Sequence, residues 1–201
     1  MPPRATPEQH PERPVLVVSG SRAGLGPLRS DLVPVFQRWM NDPEIQAGTG
    51  RVGPVTLEDE RAWYERVTTG PGRLTLVVYD LADLAPVGVT DLHEIDQRNG
   101  TAWFGIILGE RRGQGLGTEA TRLMLDWGFT ALGLHNVMLQ VFEWNRRALR
   151  AYERAGFRQI GRRRGAAVTH GRRHDVVLMD AVADEFTGSA LAAGGGRPAR
   201  P

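Results

Sequence analysis

The stretch GERRGQGLGTEATRLMLDWGF, Gly109 to Phe129, sets three glycines at alternate positions between an arginine pair and a helical stripe. The stripe is Ala120, Leu123, Met124, Trp127 and Ala131, spaced for a period of 3.6 in a helix from about Thr118, and Gly133 ends it. TAWFGIIL (Thr101 to Leu108) precedes the stretch and reads as a strand; NVMLQVF (Asn136 to Phe142) follows and reads as a buried strand. Strand, helix and strand in that order predict a right-handed crossover with the two strands parallel. The loop's backbone N–H groups lack helical partners and lie at the positive end of a helix dipole. Glycine lets the main chain approach a ligand closely. The loop is therefore suited to cradle phosphate oxygens, with Arg111 or Arg112 nearby. Taken alone, it is equally compatible with a plain Gly-rich turn.

Upstream, RLTLVVYD (Arg73 to Asp80), PVGVTDLH (Pro86 to His93) and the Thr101 strand follow one another across turn-rich segments, which predicts an antiparallel meander. VLVV (Val15 to Val18) is a short strand candidate. SDLVPVFQRWMND reads as a helix with Ser30 as N-cap and Pro34 in the first turn, and TLEDERAWYERV as a second with Thr56 as N-cap and Asp59 three residues on. Downstream, a third helix runs from Asn145 as N-cap to Gly156 as C-cap. Strands at Phe157 to Arg162 and His174 to Val182 close an α/β domain with a mixed sheet. Residues 1–13 and 185–201, rich in Pro, Gly and small residues, read as disordered tails around a single domain, 14–184.

Composition narrows the function. The chain has no cysteine, which excludes disulfides, thiolate metal sites and a cysteine nucleophile. All 25 basic side chains are arginine, and the formal net charge is only +2, so nucleic acid is not an expected partner on charge alone. No apolar run approaches a membrane span, and the first residues lack an apolar signal core; a cytoplasmic, non-membrane protein is expected. His170 and His174 in a turn-rich segment do not make a metal site, and no metal is expected elsewhere.

Two phosphate-binding patterns compete for the loop. A Walker loop needs a lysine, and the chain has none. Gly115, Gly117 and Ala120 satisfy a dinucleotide fingerprint, but GERR separates it from its strand and a meander precedes it, contrary to a first βαβ unit. The helix after the second parallel strand decides between readings. NRRALRAYERAGF places Asn145, Ala148, Tyr152, Gly156 and Phe157 at fixed intervals. With RRGQGLG, it resembles the GNAT superfamily of acyl-CoA-dependent N-acetyltransferases. Arg112, Gly115 and Gly117 match its Q/R-x-x-G-x-G/A signature. Asn145 to Phe157 matches its N-x-x-A-x-x-x-Y-x-x-x-G-F segment. PLRSDLVPVFQRWMNDPE is similar to the opening of the branch containing ribosomal-protein alanine and spermidine N-acetyltransferases. The resemblance extends from about Pro14 to Val182.

The resemblance implies a mostly antiparallel mixed sheet flanked by helices. Its parallel pair would splay to admit the pantetheine arm of acetyl-CoA, the cosubstrate. Ile106, Ile107 and Leu108 would offer backbone hydrogen bonds to that arm, and a backbone N–H near Ile107 would face the oxyanion. Arg112, Gly113, Gln114, Gly115, Leu116, Gly117 and Thr118 would hold the pyrophosphate. Asn145 would bond the pantetheine or shape its channel, beyond its N-cap role. Tyr152 would protonate the leaving thiolate as general acid. A general base is sought among Asp91, His93 and Glu94 at the end of the third strand, Glu94 first. Such a carboxylate is as often simply solvated, and an amine of low pKa needs no base.

Trp39, Trp63 and Trp103 are candidates for an acceptor pocket, with core packing as the plainer reading; Trp127 belongs to the core stripe. GRRRGAAVTHGRRHD (Gly161 to Asp175) holds five arginines and reads either as a solvated hairpin or as a contact for an anionic partner. The expected activity is acetyl transfer to a primary amine of a small molecule. A protein N-terminus as acceptor, a different acyl group such as succinyl, and a CoA- or RNA-binding module without turnover stay open. A homodimer is suggested by analogy alone.

Overall fold

A computed structural model describes residues 13–169 and 171–187. Among them, eight strands form one sheet in the order β1-β2-β3-β4-β5-β6-β8-β7. The strands are β1 (Val18–Ser19), β2 (Ala23–Pro27), β3 (Leu74–Asp80), β4 (Ala85–Asp96), β5 (Thr101–Leu108), β6 (Asn136–Phe142), β7 (Arg158–Thr169) and β8 (Arg172–Val182). The helices are α1 (Val33–Met40), α2 (Pro43–Thr49), α3 (Leu57–Thr69), α4 (Leu116–Thr130) and α5 (Arg146–Ala155). The meander β3–β4–β5 is antiparallel, and β5 and β6 form the one parallel pair among the described strands. This is the mixed, mostly antiparallel α/β architecture expected.

Alternation along the strands sends side chains to two cores. Val78, Leu92, Phe104 and Leu139 meet Leu123 and Met124 of α4 and Phe157, while Val77 and Tyr79 meet Phe36 and Trp39 of α1. The α3 cap forms as its sequence dictates: the Thr56 hydroxyl accepts from the Asp59 N–H, and the Asp59 carboxylate accepts from the Thr56 N–H at 3.0 Å.

Several local expectations need correction. Only Val18 and Ser19 of the VLVV region pair in a strand, and Val15 is 69% exposed. Ser30 opens a 3-10 turn, Ser30–Leu32, and caps nothing; α1 starts at Val33 with Pro34 in its first turn, where its missing N–H costs no bond. Helix α4 starts two residues before Thr118, and Ala131 is exposed at its C-cap, one residue past the buried stripe. Strand β2 and helix α2 were not foreseen, because AGLGP and PEIQAGT carry few of the side chains that signal a strand or helix. The arginine-rich segment is mostly strand, in the long β7–β8 ribbon; His170 lies outside the described residues. The boundary expected after residue 184 falls inside a 3-10 turn, Ala183–Glu185, and Phe186 beyond it packs edge-on against Phe129 at 5.3 Å.

Candidate active site

The site begins where the parallel pair fails. β5 and β6 pair only at Thr101–Asn136, Ala102–Val137 and Trp103–Met138. Beyond Trp103, β5 stays paired to β4 through Leu108, and β6 stays paired to β8 through Phe142. The two strands therefore part, and the β6-facing edge of Ile106, Ile107 and Leu108 has no strand beside it. Unpaired strand edges take up an extended ligand readily. Ile106 and Leu108 turn toward the α4 core and Ile107 toward the α1 core, so β5 separates two halves of one cleft of about 1000 Å³.

The glycine loop closes one end. Gly113 and Gly115 have φ of 83° and 87°, left-handed values that favour glycine, and Gly115 is the N-cap of α4. Gly113, Gln114 and Gly115 are exposed; Leu116 is buried, so only its main chain faces the loop; Thr118 lines the cleft. At Gly109 a Cβ would sit 2.1 Å from the Trp39 ring, which explains why the strand ends in a glycine there. The free amides at the start of α4 suit an anion.

The arginine pair expected beside the phosphates is engaged elsewhere. Arg111 binds Asp80 and Asp83. Arg112 donates to the Leu108 carbonyl at 2.8 Å and the Gly109 carbonyl at 3.0 Å, and pairs with Asp42 at 2.9 Å and Glu44 at 2.7 Å. Its guanidinium thus locks the end of β5 to the start of α2, and it holds the Asp42 and Glu44 carboxyls below their ordinary range. The side chains free to meet phosphate are others. Arg22 reaches to 3.4 Å from the Cβ position at Gly115, and Arg150 and Arg154 of α5 line the cleft. No sequence signal marks Arg22, which is brought in by the β1–β2 turn; Glu119 of α4 anchors that turn by accepting from the Ser21 and Arg22 N–H groups.

Helix α5 enters the cleft with both of its predicted residues. Asn145 accepts from the Ala148 N–H at 3.1 Å, the expected N-cap, and also lines the cleft. Tyr152 is held edge-on by Phe104 at 6.1 Å and by Phe157 at 5.9 Å. Its hydroxyl has no hydrogen-bond partner among the described residues, it lines the cleft, and burial pushes its phenol up to about 12.

Glu94 is not in the cleft. The β4–β5 register breaks between His93 and Asp96, Glu94 takes φ of 51° there, and its side chain is exposed. Asp91 lines the cleft instead, but is paired with Arg73 at 2.7 Å. Of the tryptophans, Trp63 lines the cleft. Trp39 also lines it but is 3% exposed and donates to Glu110, whereas Trp103 is not part of the lining. Sequence reading passed over Glu60, a buried carboxylate of α3 in the same lining. Its signal was available: Glu60 shares a face with Trp63 and Val67, three and seven residues on. Among the described residues no group of three or more His, Asp or Glu side chains stands ready for a metal, and no helix is long and apolar enough to cross a membrane.

Comparison with known proteins agrees with this geometry. A solved spermidine N-acetyltransferase from Vibrio cholerae, in complex with CoA and spermine, shares 25% identity with the chain at a TM-score of 0.77, over 84% of this chain and 100% of that one. RimJ of Mycobacterium smegmatis, in complex with CoA-disulfide, has a TM-score of 0.74 over 86% of this chain and 89% of that one at 22% identity, a likeness of fold alone. The spermidine N(1)-acetyltransferase of Escherichia coli (strain K12) is 33% identical over 93 residues, 46% of this chain and 50% of that protein. The chain spans 50% to 65% of the length of such curated relatives. The acetyltransferase (GNAT) domain matches residues 22–158, well over half of the sequence and including the glycine loop and Tyr152, and the chain belongs to that family.

Proposed function

We propose that this protein transfers the acetyl group of acetyl-CoA to a primary amine of a small molecule by direct attack, with Tyr152 as general acid. The observation that carries the reading is the parting of β5 and β6 beyond Trp103 and Met138, which leaves a strand edge, a glycine loop and a free phenol on one cleft. Ile106 to Leu108 bind the pantetheine arm in place of the missing strand. The amides from Arg112 to Thr118 take the pyrophosphate, with Arg22, Arg150 and Arg154 as the accessory cations. Asn145 shapes the channel from the α5 side. The catalytic unit is the single domain 14–184, extended by the Phe186 contact.

The neutral amine attacks the thioester carbonyl carbon and forms the C–N bond. A β5 amide near Ile107 faces the oxyanion. Collapse breaks the C–S bond, the electron pair goes to sulfur, and the Tyr152 proton follows it. The amine's surplus proton leaves to water or to a cleft carboxylate. A phenol held neutral by burial is suited to donate rather than accept at this step.

The test is thiol release from acetyl-CoA with a panel of primary amines that includes peptides with free N-termini and, in parallel, succinyl-CoA. Saturable amine-dependent release supports the reading; a peptide preference moves the acceptor to a protein N-terminus, and no release with any pair overturns it. In the same series, Gly115→Val forces a β-branched residue to a φ of 87°. CoA affinity is expected to fall roughly tenfold or more, from about 1–3 kcal/mol of backbone strain released by turning the amides away. Calorimetry checks this, and unchanged affinity would remove the loop from the site.

A further inference from the structure

The part of the cleft formed by α1, α3 and β3–β5 holds a carboxylate that acyl-CoA binding does not use. Glu60 is 6% exposed and lines the cleft, and among the described residues it has no hydrogen bond and no ion pair within 4 Å. Its helix does not need it: the α3 cap is completed by Thr56 and Asp59. Arg51 acts on it only through space, and burial raises its pKa. A buried carboxylate without a partner is costly, and the natural remedy is a cation supplied from outside. Thr75 Oγ1 is also buried without a partner among the described residues and lines the same cleft. Apolar side chains share this lining: Phe36 is 2% exposed and Trp63 stands edge-on to it at 6.0 Å. The other charged side chains of this lining include Arg51, Arg66, Arg73, Glu44, Asp59 and Asp91; Asp91 is paired with Arg73, Glu44 with Arg112, and Asp59 completes the α3 cap.

Resting on the transferase reading, we infer that Glu60 receives an ammonium group of the acceptor, whose apolar body lies against Phe36 and Trp63. A buried, unpartnered carboxylate with Phe36 and Trp63 in the same lining fits an ammonium group carried on an apolar body.

The experiment reads binding, not turnover. Intrinsic tryptophan fluorescence, with Trp63 in the wall as reporter, is titrated with 2-phenylethylamine and with its uncharged counterpart 2-phenylethanol, on wild type, Glu60→Gln and Glu58→Gln. Wild type is expected to bind the amine about 10–100-fold more tightly than the alcohol, the range of a hydrogen bond to a charged group. Glu60→Gln is expected to lose the amine-over-alcohol preference while still binding the alcohol, which also reports an intact cleft. Glu58→Gln, on the exposed face of α3, is expected to keep the preference. Full preference in Glu60→Gln, or no preference of wild type for the amine over the alcohol, overturns the inference; the wild-type comparison stands whether or not the variant folds. Calorimetry with CoA on the same wild-type protein reports the transferase reading separately, so failure of one is distinguishable from failure of the other.

Discussion

Tyr152→Phe is expected to lower kcat for acetyl transfer by about 10²–10⁴, the usual contribution of a positioned general acid. The substitution removes one oxygen and leaves the ring, so the edge contacts to Phe104 at 6.1 Å and Phe157 at 5.9 Å persist. CoA affinity is expected to change by no more than about twofold, because the lost group serves the transition state rather than the ground state. The pH dependence carries a second check. Burial moves the phenol from its ordinary 10 up to about 12, so the proton-bearing form persists to higher pH than for a free tyrosine. An acid whose pKa is raised keeps its function until pH rises through the raised value. Activity at saturating substrate should therefore show no loss from Tyr152 between about pH 8 and 10. Steady-state kinetics on the two proteins measures both effects. A kcat within about threefold of wild type would remove the hydroxyl from the chemistry.

Phe157→Ala is expected to cost about 3–5 kcal/mol of stability. Phe157 is 2% exposed and packs tilted against Phe104 at 5.7 Å and against Tyr152 at 5.9 Å. It follows Gly156, whose φ of 117° turns the chain from α5 into β7, so truncation empties the corner between that helix and the sheet. At roughly 2–4 °C per kcal/mol for a domain of this size, the thermal midpoint should fall by about 6–20 °C. The same truncation frees one side of the Tyr152 ring, so kcat should fall further than CoA affinity. Calorimetric melting with parallel kinetics decides it; a midpoint shift under about 3 °C would mean that the corner repacks without Phe157.

These two residues belong to the part of the molecule legible in the sequence. The N-cap Asn145, the C-cap Gly156 and the stripe of α4 from Ala120 to Trp127 are local signals, and each stands where its spacing put it. The meander was legible because Leu74–Asp80 and Thr101–Leu108 alternate or run apolar between turn residues. Strand β2 was not, since Gly24 and Gly26 offer no side chains to read and Pro27 argues against a strand. At the cleft, the turn geometry of the glycine loop and the place of Tyr152 in the lining were legible, because both follow from spacing and local main-chain conformation. The roles of charged side chains were not. Arg112 finds Asp42 and Glu44 some 70 positions earlier, a pairing that only the tertiary fold creates. Glu94 was misplaced because a bulge after His93 breaks the alternation that would have aimed it inward. Glu60 was passed over because it stands in a run of acidic residues at a helix start; its spacing to Trp63 and Val67, and its burial, set it apart from Glu58 and Asp59.

The central claim is that the edge of β5 left bare by its parting from β6 is where the coenzyme lies. Amide hydrogen exchange with and without CoA tests it at the residues concerned. The account predicts slower exchange, on adding CoA, across Gly105 to Thr118, with the β3–β4 pairing unchanged. No slowing in that segment at millimolar CoA, or slowing confined to other parts of the chain, would contradict it.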